Sequence, residues 1–450
     1  MRNAPASTGP RSKRVPDATS VAPRQYRATR SRRVVPVAVA IAVIVTGLVL
    51  PTALPPAGAE APTTTPTAES SLDPALVAQL DAALDQAFAD SGMPGVTAGL
   101  WIPGQGEWVA TRGVSDLDTN KAMNRANQTK IASITKTFVG TIALQIIGEG
   151  QVGLTLDDTI DRWYPDFPEA SNITVRMLMN MTSGVAEGGQ VEADNYCDPN
   201  LSITPDELIA LGAAAPRAFA PGDGFEYANV NTVILGRILE KTTGTDLTTL
   251  LDERLLGPLG MTRSRFAPDG QLTAPLTHGY TDFCEQFPKA TDVTDWPLDW
   301  GWAAGAMVST IDDLHTWGLA LGTGVGLTPE MLAARVDDSS PIPRLGRTTA
   351  YGLGLGLVRD AATTCLVKLF HNGSVPGYGS VLEYYPSTGA VFALLGNSNG
   401  NTGLATGEMG LALSATLEPI VTVPPTESCE PPPPADVAIT PVVAEPAFTG

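Results

Sequence analysis

The sequence predicts an α+β fold, in which helices and strands occupy separate stretches of the chain. Three observations lead to this class: a helix followed by a hairpin within residues 73–113, a long helical middle from about 131 to 330, and a return to strands between 351 and 397. Alternating strands and helices would instead indicate a parallel sheet. The predicted sheet therefore draws its strands from both ends of one domain, and the helices are inserted between them.

The first predicted helix begins at Asp73-Pro74, an N-cap residue followed by proline at the first helical position. Its apolar residues recur every four positions up to Gly92, as expected for an amphipathic helix. They are Leu76, Leu80, Leu84 and Phe88.

A hairpin follows, with predicted strands Gly95–Ile102 and Glu107–Gly113 on either side of a Pro-Gly-Gln-Gly turn at 103–106. The later strands are separated by turn residues, and we predict them at Tyr351–Val358, Leu366–His371, Ser380–Tyr385 and Ala390–Leu395. A closing helix is predicted over Thr402–Leu417. One domain then spans residues 72–420, and the proline-dense stretch 421–450 is predicted to be a disordered tail.

The N-terminal 59 residues have the features of an export segment. Nine Lys and Arg precede or border the apolar run Val34–Leu50, and small residues at Ala57 and Ala59 form an A-x-A cleavage pattern. The segment is therefore either a cleaved signal peptide or a retained membrane anchor, and Ser31-Arg-Arg33 is compatible with a twin-arginine signal. Residues 60–71, rich in Thr and Pro, are predicted to be a spacer. We expect the remaining chain to be secreted or held in the cell envelope.

Charge and cysteine usage agree with a location outside the cytosol. The net charge is −19 although the first 59 residues are basic, and such an acidic body excludes nucleic acid as an expected partner. The four cysteines, an even number, suggest two disulfides. Three pairings are open, and sequence order favours Cys197–Cys284 with Cys365–Cys429. The three histidines lack metal-ligand spacing, so neither a metal nor a cofactor is expected.

The first chemical motif is Ser133-Ile-Thr-Lys136. Residues three apart share a helix face, so the Lys136 amine can reach the Ser133 hydroxyl. A serine hydroxyl is a weak nucleophile until a neighbouring base activates it, and a desolvated lysine can do so. A serine at a helix start also gains from the N-terminal dipole.

Two further motifs follow in the chain. Tyr227-Ala-Asn229 lies in a loop before the helical stretch Thr232–Lys241, where the phenol can shuttle a proton and the amide can hold a substrate. His371-Asn-Gly373 ends the predicted strand Leu366–Phe370. An edge strand ending in glycine lets a substrate backbone pair with it, and the histidine there can supply a donor or a positive charge. Taken singly, each motif also fits an ordinary surface or packed residue.

Together and in this order, the motifs resemble the signature of serine β-lactamases and penicillin-binding enzymes, specifically the class C and DD-carboxypeptidase branch. The connecting stretches Gly153–Asp158, Ile173–Leu178, Thr182–Gly184 and Ala304–Leu314 are also similar to that family. The resemblance covers roughly residues 75–415. It implies an antiparallel sheet flanked by helices, an all-helical subdomain, and a site between the two.

The resemblance also implies a role for each matching residue. Ser133 is acylated, while Lys136 and Tyr227 share the proton transfer, with the identity of the base left open. Asn229 holds the substrate amide. His371, with Asn372 and Gly373, positions the substrate and tunes Tyr227. The backbone N–H groups of Ser133 and Ser374 form the oxyanion hole.

The leading expectation for the activity is a D-alanyl-D-alanine carboxypeptidase, acting on a small molecule or a peptidoglycan stem peptide. Asn372 departs from the family pattern, because a hydroxyl residue usually receives the substrate carboxylate there. An esterase or a β-lactamase of the same fold is therefore the alternative, and a non-catalytic penicillin- or peptidoglycan-binding protein is a further one. An α/β-hydrolase using Gly396-Asn-Ser398-Asn-Gly400 is disfavoured, because no histidine follows residue 371.

Overall fold

A nine-stranded antiparallel sheet forms the centre of the fold, and it confirms the predicted α+β class. The structure is a computed structural model that describes residues 72–186, 197–281, 284, 286–345, 348–398 and 406–422. The strand order is β3-β2-β1-β14-β13-β12-β11-β10-β9, so strands from both ends of the chain lie side by side. The sheet strands are β1 Gly95–Ile102, β2 Gly106–Asp116, β3 Lys121–Ala122, β9 Ser340–Pro341, β10 Thr349–Tyr351, β11 Gly356–Arg359, β12 Leu366–Val375, β13 Tyr378–Tyr385 and β14 Ala390–Gly396.

Two smaller sheets accompany it. One has the order β4-β8-β5, and the other pairs β6 with β7. Their strands are β4 Thr129–Lys130, β5 Arg265–Phe266, β6 Tyr280–Thr281, β7 Thr291–Asp292 and β8 Met307–Ser309. The described helices are α1 Pro74–Ser91, α2 Thr135–Glu149, α3 Val175–Met179, α4 Pro205–Ala214, α5 Asn229–Thr243, α6 Leu247–Leu251, α7 Ile311–Thr323, α8 Pro329–Asp337 and α9 Thr406–Val421.

The central strands are apolar on both faces because helices cover the sheet on both sides. Along β14, Phe392 and Leu394 belong to one hydrophobic cluster with α1 and α9. The alternate residues Val391 and Ala393 belong to the other cluster, with α2, α5 and α7. Successive strand residues point to opposite faces, so one strand serves two cores.

Helix α1 starts and ends where its sequence predicts. The Asp73 carboxylate accepts from the Ala75 N–H at 2.7 Å, and Gly92 closes the helix in the left-handed conformation. Leu80 and Leu84 are buried in the cluster that also holds Leu413 and Leu417 of α9. The first and last helices of the domain thus cover the same face of the sheet.

Several predicted boundaries differ from the structure. The strand predicted over Tyr351–Val358 is two strands, because a turn closes with the Gly352 N–H donating to Leu355 O at 2.8 Å. Strand β12 continues past the predicted end to Val375, since its pairing with β13 continues there. Helix α9 runs through Pro419 to Val421, whose side chain is fully buried beside α1.

The described cysteines form the expected type of bond. Cys197 is disulfide-bonded to Cys284, as predicted. Cys365 is also disulfide-bonded, and its predicted partner Cys429 lies outside the described residues. The export segment, the spacer and the tail beyond residue 422 lie outside them as well. No helix within the described part of the chain is long and apolar enough to span a membrane.

The Cys197–Cys284 disulfide closes residues 87 apart in sequence, so it restricts the unfolded chain over a long loop. We expect the Cys197→Ser/Cys284→Ser variant to lose roughly 2–5 kcal/mol of unfolding free energy. Urea unfolding of both proteins under non-reducing conditions measures this difference. Equal midpoints, or free thiols titrating at both positions in the unfolded wild type, would contradict it.

Candidate active site

Ser133 lies in a single 3-10 turn, Ala132–Ile134, that leads directly into helix α2. The residue before it, Ala132, has φ +49°, a left-handed conformation that costs an L-residue free energy. Side chains hold the turn in place: Thr135 Oγ1 donates to Ala132 O at 2.6 Å and accepts from the Met307 N–H at 3.1 Å. Ser133 is thereby presented at the N-terminal end of a 15-residue helix.

Lys136 lies one turn further along α2 and is buried, with 1% of its surface exposed. Its Nζ donates to Ser133 Oγ at 2.9 Å, to Asn229 Oδ1 at 2.6 Å and to Ala304 O at 2.8 Å. An ammonium carries three N–H donors, and these three oxygens match them in number. The lysine therefore links the turn of the candidate nucleophile Ser133, called here the nucleophile turn, to two separate parts of the chain.

The second motif approaches the same lysine from the opposite side. Asn229 is the first residue of helix α5, which begins three residues earlier than predicted. Tyr227 precedes it in the loop, with 37% of its surface exposed. Lys136 Nζ lies 4.9 Å from the Tyr227 ring centroid, within cation–π range. The structure thus brings the first two motifs into direct contact.

The third motif runs along β12 beside the nucleophile turn. A Cβ added to Gly373 would lie 2.4 Å from Ile131 O and 2.3 Å from Ser380 Oγ, so only glycine allows this approach. Among the described residues, β12 pairs with β11 only as far as Phe370, which leaves the stretch 371–375 paired on its β13 side alone. The side chains of Asn372 and Ser374 are exposed on this stretch.

His371 corrects one expectation. A donor or a positive charge toward the substrate was predicted, but the ring is buried and both nitrogens bind protein atoms. Nδ1 lies 2.7 Å from Asn372 O, and Nε2 lies 2.9 Å from the Tyr351 hydroxyl. Burial, followed by the nearby Lys136 ammonium, lowers the pKa of His371 to about 3. The imidazole is therefore neutral at ordinary pH. The expectation was wrong because sequence spacing does not reveal how deeply a strand residue is buried.

All three motifs meet at one cavity of about 500 Å³. Its described lining includes every predicted site residue except Lys136, which lies beneath Ser133. The polar lining residues are Ser133, Tyr227, Asn229, His371, Asn372 and Ser374. The larger apolar lining residues are Phe225, Ile342, Leu345 and Phe370, and the Tyr351 side chain lies beside them in the lining. The cavity thus has a polar floor at Ser133 and an apolar wall.

Sequence reasoning missed Ala304 and Tyr351 as parts of this site. The Ala304 contribution is a backbone carbonyl, which no side-chain motif can report, although the stretch Ala304–Leu314 was singled out. Tyr351 was predicted to begin the strand Tyr351–Val358, with no chemical role. The rival nucleophile Ser398 lies buried at the end of β14, where its carbonyl accepts from Thr406 Oγ1 at 3.2 Å.

The chain is similar to known proteins over most of this domain. The Beta-lactamase family model matches residues 80–416. A D-aminopeptidase of Brucella anthropi is 30% identical over 253 residues, which cover 54% of this chain and 45% of the relative. The chain therefore spans under half the length of the curated relative it matches.

Solved structures are similar over longer stretches. A D-amino acid amidase from Ochrobactrum anthropi SV3, complexed with L-phenylalanine amide, has a TM-score of 0.67 and 28% identity, with 77% of this chain and 99% of that chain covered. A D-stereospecific amidohydrolase from Streptomyces sp. has a TM-score of 0.66 and 26% identity, covering 78% and 100%. A penicillin-binding protein from Bacillus halodurans shares the fold at 20% identity and a TM-score of 0.64, covering 74% and 98%.

The close approach at Gly373 generates a prediction. Gly373→Ala should displace β12 from the nucleophile turn, cost about 1–3 kcal/mol of stability, and slow the labelling of Ser133 by a fluorophosphonate probe about tenfold. Gly407→Ala is the matched control, because its added Cβ would meet only Asn372 Nδ2, at 3.7 Å. Gly373→Ala labelling at the wild-type rate would show that the approach does not matter.

The neutral state of His371 generates a second prediction. Its pKa, 6.5 in an unfolded chain, is about 3 in the fold, so the unfolded state binds the extra proton between these values. The stabilisation is complete above pH 6.5 and is lost as the pH falls toward 3. His315, with a pKa lowered to about 4 mainly by burial, acts in the same direction.

We therefore expect the unfolding free energy of the wild type to fall by a few kcal/mol between pH 6.5 and pH 4. His371→Asn should show a shallower fall over the same range, measured by urea unfolding at several pH values. The half-buried His278, which is paired with Asp292, supplies the control variant His278→Asn. Parallel curves for wild type and His371→Asn would refute the neutral assignment.

Proposed function

Because this chain belongs to the β-lactamase family, we propose that it is a D-stereospecific amidohydrolase that works through an acyl-enzyme on Ser133. Membership of the family confirms the resemblance predicted from the three motifs, and the chain is a hydrolase of that fold. The observation that carries the acyl-enzyme is Lys136 Nζ, which contacts Ser133 Oγ at 2.9 Å and Asn229 Oδ1 at 2.6 Å. The substrate class is supported by the similarity to the amidase and the amidohydrolase.

In the proposed reaction, Ser133 Oγ attacks the substrate carbonyl carbon, and its proton passes to the unprotonated member of the Lys136–Tyr227 pair, which is the Tyr227 phenolate when Lys136 is an ammonium and the Lys136 amine when it is not. The tetrahedral oxyanion is stabilised by the backbone N–H groups of Ser133 and Ser374, two residues that line the cavity. The C–N bond then breaks, and the same proton passes to the departing amine or ammonia. Water subsequently hydrolyses the ester on Ser133, which restores the hydroxyl and releases the acid.

The cavity wall supports a substrate with an apolar side chain. Phe225 and Phe370 face the space above the nucleophile, together with Ile342 and Leu345. Burying an apolar side chain against such a surface is favourable, by about 25 cal/mol for each Å² removed from water. The polar side chains of Asn229 and Asn372 remain for the substrate's amide and amine.

A D-alanyl-D-alanine carboxypeptidase was the leading expectation from the motifs, and an amidohydrolase now takes its place. Two observations support this order. The similar structures act on D-amino acid amides or are D-stereospecific, as their names state. Asn372 also occupies the position where the family usually has a hydroxyl residue to receive a carboxylate. Carboxypeptidase, esterase and β-lactamase activities become outcomes of the same test.

The test compares ammonia release from D-phenylalanine amide and L-phenylalanine amide by the purified protein. We expect the D-enantiomer to be cleaved at least about tenfold faster, and Ser133→Ala to lose about a thousandfold or more in kcat. Ser374→Ala is the matched control. Only its backbone N–H has a proposed role, so most activity should remain.

Other substrates separate the alternatives in the same assay. Cleavage of D-alanyl-D-alanine or a β-lactam in preference to the amide would overturn the proposed substrate class. A stable penicillin adduct on Ser133 without turnover of any substrate would instead indicate a binding protein. Full activity of Ser133→Ala on the D-amide would overturn the acyl-enzyme itself.

We also propose that the protein acts outside the cytoplasm. The Cys197–Cys284 disulfide supports this location, because such bonds persist in oxidising compartments. The predicted export segment would then deliver the domain, or tether it to the membrane. An acidic domain of this kind would have small molecules or cell-wall peptides as partners rather than nucleic acid.

A further inference from the structure

Tyr351 is a buried tyrosine at the wall of the cavity, and none of the three motifs contains it. It is the last residue of β10, directly before the turn that ends β10. The turn is fixed from outside, because the Leu353 N–H donates to Arg335 O at 2.9 Å and the Gly354 N–H donates to Met179 O at 3.1 Å. The backbone that follows Tyr351 is therefore held by two helices, α8 through Arg335 and α3 through Met179.

The Tyr351 side chain contacts two of the predicted site residues. Its hydroxyl oxygen lies 2.9 Å from His371 Nε2. Its ring meets the His371 ring edge-on at 5.8 Å and the Tyr227 ring edge-on at 5.8 Å. Tyr227 and His371 are themselves 6.2 Å apart between centroids. The three rings form one contiguous group, and Tyr351 is more deeply buried than Tyr227, the other tyrosine in it.

These contacts determine where the His371 proton lies. Nδ1 faces Asn372 O, a carbonyl that can only accept, so Nδ1 carries the hydrogen. In a neutral imidazole the other nitrogen is then an acceptor, and the Tyr351 hydroxyl must donate to Nε2. Burial raises the pKa of Tyr351 well above its ordinary value, so the phenol keeps the proton that it donates.

We propose that Tyr351 is a positioning residue of the active site: its hydroxyl donates to His371 Nε2 and so holds the orientation of the imidazole, and its ring holds the plane of Tyr227. This inference rests on the proposed role of Ser133 as nucleophile. It assigns no contact between Tyr351 and the reacting atoms. Instead, the chain of contacts runs from Tyr351 to Tyr227, whose ring faces the Lys136 ammonium.

The same chain of contacts reaches the open edge of β12. His371 Nδ1 donates to the carbonyl of Asn372, the residue whose side chain lines the cavity. Without the Tyr351 hydroxyl, Nε2 loses its donor, and the bond from Nδ1 to the Asn372 carbonyl alone holds the ring. The imidazole can then rotate about that bond and shift the Asn372 peptide. Tyr351 thus affects both the Tyr227 side and the β12 side of the cavity.

The test uses Tyr351→Phe, which keeps the ring and removes only the hydroxyl. Nitrogen-15 labelling of the histidines gives imidazole signals that report the tautomer directly, and His371→Asn assigns the signal of His371. We expect both proteins to show the Nδ1-protonated pattern, and the Nε2 signal of His371 to shift in Tyr351→Phe, because that nitrogen loses the hydrogen bond it accepts in the wild type. We also expect fluorophosphonate labelling of Ser133 to slow about tenfold in Tyr351→Phe.

Tyr378→Phe is the matched control for a lost buried hydroxyl. Its phenol donates to Thr277 O at 3.0 Å and lies outside the described cavity lining. This variant should lower the melting temperature while leaving both the His371 pattern and the labelling rate unchanged. A purely structural role for Tyr351 would make the two variants behave alike.

Two results would overturn the proposal: an Nε2-protonated pattern in the wild type, or wild-type labelling of Ser133 in Tyr351→Phe. Should that variant fail to fold, the tautomer of the wild type decides alone. Neither readout requires turnover of a D-amino acid amide. A failure of the proposed substrate class therefore leaves this inference standing, whereas a failure here leaves the amidase assay unaffected.

Discussion

A buried ammonium group determines how the active site is assembled. Lys136 is almost completely removed from water, and an isolated charge in that position would cost several kcal/mol of stability. The three oxygens that bind it come from the nucleophile turn, from the start of helix α5 and from the carbonyl of Ala304. Burying the lysine with these partners also brings Ser133 beside Asn229. The geometry proposed for catalysis thus follows from the burial of one charge.

The sequence predicts this fold well where an element's start or turn depends only on residues next to it in the chain. The Asp73-Pro74 start of α1 and the hairpin around residues 103–106 depend on neighbouring residues only, and both lie where predicted. The order of the three motifs predicts the site because each motif needs particular residues at fixed positions: Ser and Lys in the first, Tyr and Asn in the second, His and Gly in the third. These residues meet although Ser133 and His371 are far apart in the chain.

The features that sequence reasoning missed depend on long-range packing. The break between β10 and β11 is held by Arg335 and Met179, which lie on other helices. The neutral state of His371 follows from its burial beside Lys136, and nothing in a His-Asn-Gly triplet reports burial. The role of the Ala304 carbonyl is likewise invisible, since every residue carries the same backbone group.

The floor of the cavity is packed into the hydrophobic core, whereas part of its wall is exposed to solvent. Helix α2 is buried along every position from Thr135 to Ile146, so its side chains are constrained by packing. Leu345, by contrast, lies in a short turn at the rim with 58% of its surface exposed. Replacing it disturbs little else, because exposed loop residues have few packing partners. A substitution at Leu345 would therefore change the surface of the cavity wall and leave the packing around Ser133 and Lys136 as it is.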